Sequence, residues 1–250
     1  MGALFLFAHQ DDEYAAAPWI VREVAAGASI ACVYLTDGGS RVDPAVRDAE
    51  SRRALHALGV GDDAVVFLAV GATRVADGAL ASRAVEASAA LEVWLGNAFV
   101  PERIYAPSYE GGHPDHDAAH VIAACIASRY GALERCRHFA LYNGYRCPAP
   151  FFSSLRQLPS TAPRIYAALP MRKRWTLSWL CCTYASQRKT WLGLFPGAFV
   201  ERMLGREHLV PADAARLRQR PHPGELLYER LFATRYDDVA AALKPLVDRL

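Results

Sequence analysis

Residues 3–13 read Ala-Leu-Phe-Leu-Phe-Ala-His-Gln-Asp-Asp-Glu, an unbroken apolar run that ends abruptly in an imidazole, an amide and three carboxyls. A half-exposed strand would alternate polar and apolar residues. A short continuous run such as 3–7 instead predicts a central strand buried on both faces. The polar cluster then marks its carboxyl end. Residues 13–26 follow with helical composition, and Gly27 stands where a helix stops.

The same unit repeats downstream. Residues 30–35 read as a second strand closed by the turn Thr36-Asp37-Gly38-Gly39, and 44–58 as a helix with Pro44 in its first turn and Gly59 just past its end. Residues 65–70 form a third expected strand, 80–95 a helix, 103–106 a fourth strand, 116–128 a helix and 138–142 a fifth strand. Strands alternating with helices of this length imply an α/β fold with a mostly parallel sheet and helices on both faces. Beyond about residue 145, prolines and aromatics interrupt the alternation. Helices are expected near 175–186 and 225–235, in a less regular C-terminal lobe. The expectation is a single domain over 1–250, with a metal-binding core at 1–143 and a pocket-completing lobe at 144–250.

Composition excludes several classes of function. Apolar residues make up 52% and charged residues 22%, so the chain can bury a core and carries no signature of disorder. A net charge of +2 gives no basis for a nucleic-acid partner. The local cluster Arg172-Lys173-Arg174 reads first as a solvated face, with a phosphate or anionic headgroup contact as the alternative. No apolar stretch is long enough to span a membrane, and the first residues lack the pattern of a signal peptide. Six cysteines without C-x-x-C spacing suit a reducing compartment, so a cytoplasmic location is expected. The aromatic segment 175–191 is a candidate subunit contact in a homo-oligomer.

In open parallel sheets, ligands gather at the carboxyl ends of strands. His9, Asp11 and Asp12 follow the first strand, Asp37 the second, and His113, Asp115 and His116 the fourth, so the chemistry-bearing residues share one edge. A hydrolytic zinc site uses three protein ligands and keeps one position open for water. His9 and Asp12 flank a tight turn and can reach one ion, and His116 can supply the third ligand. Asp11 would stand beside the water as general base. His113 could hydrogen-bond the developing oxyanion, with Asp115 orienting its ring. The bland alternative for both motifs is a helix N-terminus with acidic residues in its first turn, which leaves the flanking histidines unexplained. His120, one turn after His116, is a rival ligand. His56, His138, His208 and His222 lack carboxylate-rich surroundings.

These motifs together resemble the PIG-L/LmbE-like family of zinc-dependent N-deacetylases. The resemblance rests on Ala8-His9-Gln10-Asp11-Asp12-Glu13, Thr36-Asp37-Gly38-Gly39, Arg47 and Glu50 followed by Leu58-Gly59, Ile104-Tyr105-Ala106-Pro107 and Gly112-His113-Pro114-Asp115-His116, with a weaker likeness at Tyr184-Ala185-Ser186-Gln187. It covers the first 130 residues well and the rest poorly. It implies a Rossmann-like sheet, Zn2+ held by His9, Asp12 and His116, Asp11 as base, and His113 supported by Asp115 as electrophile or acid. The implied substrate is a small N-acyl compound of the N-acetylglucosamine-conjugate type. A natural-product amide, or sugar binding without turnover, are the alternatives. Arg47, Asp37 and Tyr109 are candidate substrate contacts, although a salt bridge to a neighbouring helix also suits Arg47. Gln10 departs from the proline usual in the first motif, so the turn loses a fixed φ.

Overall fold

The computed structural model describes residues 2–39 and 42–250. Its first half follows the alternation of the sequence: β1 (Gly2–Phe7), α1 (Glu13–Ala25), β2 (Ser29–Tyr34), α2 (Pro44–Ala57), β3 (Val65–Phe67), α3 (Ala84–Ala98), β4 (Arg103–Pro107), α4 (Pro114–Arg129) and β5 (Cys136–Phe139). The third strand stops three residues short of expectation, and α3 begins four residues late, because 68–83 form a loop with isolated bridges. The expected strand 138–142 divides: β5 ends at Phe139, and β6 (Tyr142–Asn143) pairs instead with β7 (Ser153–Ser154).

After β8 (Ile165–Tyr166) the chain forms α5 (Met171–Ser178), α6 (Arg188–Met203), β9 (His208–Pro211), α7 (Leu227–Phe232) and α8 (Tyr236–Val247). The expected helix 175–186 is thus α5 displaced towards the N-terminus, followed by 3-10 turns through Gln187. Two helices, α6 and α8, stand where sequence patterning predicted none. Gly193, Pro196 and Gly197 read as breakers in α6, but Trp191, Ala198 and Arg202 on its inner side are buried, so tertiary packing outweighs local propensity.

The sheet order is β3-β2-β1-β4-β5-β9-β8, with the first five strands parallel and β9 antiparallel to β5. Strand order reverses between β1 and β4, and that switch point opens a crevice at the strands' carboxyl ends. Successive residues of β1 divide between two cores. Leu4 and Leu6 join Val33, Ile104 and residues of α3, α4 and α8, whereas Phe5 and Phe7 join Tyr34, Tyr105 and residues of α1, α2, α5 and α6. Every β1 side chain is fully covered, which accounts for the unbroken apolar run. Among the described residues, no helix is long and apolar enough to cross a membrane.

Candidate metal centre and active site

The turn after β1 is organised around Asp12. Its Oδ2 accepts the backbone N–H groups of Ala8 (2.8 Å) and His9 (2.9 Å), which aims Oδ1 at His116 Nε2, 3.1 Å away. His9 Nδ1 lies 3.1 Å from the same nitrogen. His116 projects from the first turn of α4, so the β1 and β4 loops meet across the switch point. His9, Asp12 and His116 form a buried group whose donor atoms all lie within 4.8 Å of one another.

The donor set suits a divalent cation. Zinc bonds of usual length in a tetrahedral site separate neighbouring ligand atoms by about 3.3 Å, close to the spacing here. Four carboxylates, from Asp11, Asp12, Asp77 and Asp115, crowd the two imidazoles, and Arg47 brings a guanidinium among them. Burial would raise the pKa of Asp12, but His116 and His9 outweigh it and hold that carboxyl at about 2. Burial likewise opposes a charge on His9, yet Asp77, Asp115 and Asp12 keep its pKa well above the ordinary value. The ligand atoms of a second group, His9, His113 and Asp115, also lie within 4.8 Å of one another. Its Asp115 carboxylate, however, already accepts the backbone N–H groups of Gly78 (2.7 Å) and Leu80 (2.9 Å), and His113 Nδ1 accepts that of Asp115 (3.2 Å).

Asp11 sits beside the group at φ 146°, a backbone region that costs a non-glycine residue of order 1–3 kcal/mol. The conformation is held from two sides. Its N–H donates to Glu13 Oε2 (3.0 Å), and its Oδ1 accepts Arg47 Nη2 (3.0 Å). Burial raises the Asp11 pKa to about 6 against the opposing pull of Arg47. The His113 pKa falls to about 3, chiefly through burial and the neighbouring His9, so its ring is neutral at pH 7. With Nδ1 accepting the Asp115 N–H, its proton resides on Nε2.

Other expected residues make a range of contacts. Asp115 meets the His113 ring only through its backbone N–H: its carboxylate Oδ2 is instead 3.1 Å from His9 Nε2, because the helix start turns the carboxylate towards the 78–80 loop. Arg47 is a buried tether from α2, donating to the carbonyls of Gly38 and Gln10 as well as to Asp11. Asp37 shapes the loops, accepting the N–H groups of Gly39 and Asp77. Tyr109 faces a separate cavity that Ser108, His120 and His138 also line. His120 bonds the Pro107 carbonyl and stacks on His138, away from the cluster. Gln10 replaces a rigid φ with bonds from its Nε2 to the Thr36 carbonyl and Asp48.

Two residues were missed by sequence reasoning. Asp77 lies 3.2 Å from His9 Nε2 and 3.8 Å from Arg47. Its only signal was an Asp-Gly turn after a strand. Glu110, fully buried, accepts the N–H groups of Leu141 and Tyr142 and the Asn143 amide, fixing the segment that covers His116. The preceding turn allows this approach only with glycine at 112, where a Cβ would come within 1.9 Å of the Tyr142 carbonyl oxygen.

His9, Asp11 and Tyr142 line two spaces. One, of about 60 Å³, is walled by Leu141, Leu155, Trp191, Leu194 and Ala198 and touches Asp12 and His116. The other is a polar cleft of about 740 Å³ lined by Arg47, Asp77, His113, Arg188 and Lys189.

Residues 4–127 match the family model described as PIG-L: GlcNAc-PI de-N-acetylase. The chain belongs to the PIG-L family. A search of curated protein sequences gives no match. Among solved structures, this PIG-L chain is similar to a deacetylase of teicoplanin biosynthesis, with a TM-score of 0.61 at 15% identity over 85% of this chain and 99% of the other. It is also similar to Dbv21, the deacetylase of the A40926 pseudoaglycone, with a TM-score of 0.61 at 17% identity over 84% and 96% of the two chains. N,N'-diacetylchitobiose deacetylase from Pyrococcus horikoshii follows at a TM-score of 0.52 and 15% identity, over 84% and 82%. At these identities the likeness establishes a shared fold.

Proposed function

We propose that the chain is a zinc-dependent N-deacetylase that removes a short acyl group, acetyl above all, from an N-acetylglucosamine-type conjugate. The observation that carries this reading is the convergence of His9 Nδ1, Asp12 Oδ1 and His116 Nε2 beside Asp11, at the meeting of a small apolar space and a wide polar cleft. His9, Asp12 and His116 would hold the ion. When bound, zinc supplies Lewis acidity towards water and carbonyl oxygen.

Asp11 takes the proton of the attacking water. A carboxyl near pKa 6 is a better base at neutral pH than an ordinary one. His113 donates Nε2–H to the carbonyl oxygen as that oxygen becomes negative, and a neutral ring makes this contact without a protonation step. Asp11 then returns its proton to the departing amine. The acyl methyl fits the small space against Leu155, Trp191 and Ala198, and the amino sugar fits the cleft.

The relatives named for teicoplanin and A40926 support a second reading of the same site, deacylation of a natural-product glycoconjugate. Residues 1–143 act as the metal-binding core and 144–250 complete the pocket, a division supported by the α6 side chains on the cavity. The six free cysteines support a reducing, cytoplasmic location.

The test is incubation of the zinc-loaded protein with N-acetylglucosamine conjugates, N,N'-diacetylchitobiose and N-acetylated glycopeptides, following acetate and free amine. Release from the sugars supports the first reading, and release from the glycopeptides alone supports the second. No release from any of them overturns both.

A further inference from the structure

Helices α5 and α6 present an aromatic face that the deacetylase reading does not use. Trp175 and Trp179 are 50% and 45% exposed, and Leu192 is 79% exposed. Trp175 packs edge-on against Trp179 and Phe199, while Trp179 also meets Phe195. On α6, Leu192, Phe195 and Phe199 recur at helical spacing, next to the buried stripe of Trp191, Ala198 and Arg202. An apolar surface of this kind on a folded chain marks a contact with something.

Charge identifies the contact. Residues 171–200 contain five basic side chains, Arg172, Lys173, Arg174, Arg188 and Lys189, and no acidic one. Arg174 is committed to the carbonyls of Leu169 and Met203. Arg188 and Lys189 belong to the polar cleft, but Arg172 is exposed on α5, and among the described residues no carboxylate pairs with it or with Lys173. The nearby acids are already taken: Glu201 faces Arg206, and Glu207 binds Arg202. A symmetric dimer through this face would bring like charges together. Tryptophan beside uncompensated lysine and arginine is the composition of a helix lying in the headgroup layer of an anionic bilayer.

We propose that the α5–α6 face docks the protein peripherally on anionic phospholipid membranes, inserting Trp175, Trp179 and Leu192 while Arg172 and Lys173 meet the headgroups. The inner side of α6 lines the cavity at His9 and His116, so the docked surface lies about one helix diameter, roughly 10 Å, from the candidate active site. The inference rests on no assumption about the reaction.

Flotation of the full chain with phosphatidylcholine vesicles and with mixed phosphatidylcholine–phosphatidylglycerol vesicles tests it. Binding to the mixed vesicles alone is expected, with a blue shift of tryptophan emission. Arg172→Glu with Lys173→Glu should weaken binding about tenfold or more. Trp175→Gln with Trp179→Gln should abolish it, while circular dichroism confirms an unchanged fold. Equal binding to both vesicles, or to neither, overturns the proposal. So does a concentration-dependent dimer in sedimentation that the tryptophan variant dissolves.

Discussion

The turn at 8–13 and the wall across the cavity from it are built from different kinds of contact. In the turn, Asp12 is held by backbone donors three and four residues away, and Asp11 by a carboxylate two residues on and by Arg47 from α2. The wall depends on contacts distant in sequence. Tyr14 donates to the Ser178 carbonyl, Ser186 bonds Glu50, and buried Arg202 reaches the Tyr14 carbonyl while gripping Glu207. The two carboxylates of the turn are therefore set mainly by short stretches of chain. The shape around them is set by packing. Substitutions in the turn should change chemistry without loosening the fold, and substitutions in the wall should do the reverse or alter selectivity.

The largest effect is expected at the cluster itself. His9→Ala, Asp12→Ala and His116→Ala should each lose bound metal and all turnover, read by elemental analysis beside acetate release. Asp11→Asn should keep the metal yet lower kcat by about 10²–10⁴-fold. A variant at Asp11 with near-normal kcat would break the division of roles between these adjacent carboxylates.

Why the turn was legible and the wall was not follows from the same contrast. A buried parallel strand ending in His and Asp announces both its burial and its chemical edge, and β1 with Asp12 does so within eleven residues. His116 could be joined to them because α/β alternation fixes which strand ends share an edge. Asp77 escaped notice because it lies in a long loop without a pattern, held by Asp37 and His9. The α6 helix was hidden by Gly193, Pro196 and Gly197. Its stability comes from Arg202 and Trp191 packing on residues far away in sequence, which periodicity cannot report.

Arg202 offers the next test. It is fully buried, with bonds to Glu207 and to the carbonyls of Leu177 and Tyr14. Arg202→Ala strands the Glu207 carboxylate and should cost about 3–5 kcal/mol in urea unfolding. Metal titration of the folded fraction should stay unchanged. Weakened metal binding would show that the wall supports the turn after all. Asp115→Asn should have a smaller consequence: metal affinity reduced about 10–100-fold through a less firmly oriented His9, with the unfolding midpoint little altered.

The smallest effect separates wall from chemistry most cleanly. Ala198 is buried and lines the small cavity together with Leu194 and Leu155. Ala198→Leu adds three carbons to a space of about 60 Å³. If the acyl methyl enters there, kcat/KM for an N-acetyl substrate should drop by about 10-fold or more, the scale of one misplaced methylene or methyl in an apolar pocket. The N-formyl analogue, which lacks that methyl, should lose less, so the formyl-to-acetyl ratio rises while bound metal is retained. Overpacking could also cost about 1–3 kcal/mol of stability, but a general loosening would depress both substrates alike. An unchanged ratio would move the acyl group out of this cavity and into the cleft beside His113, leaving Trp191 and Ala198 as core residues only.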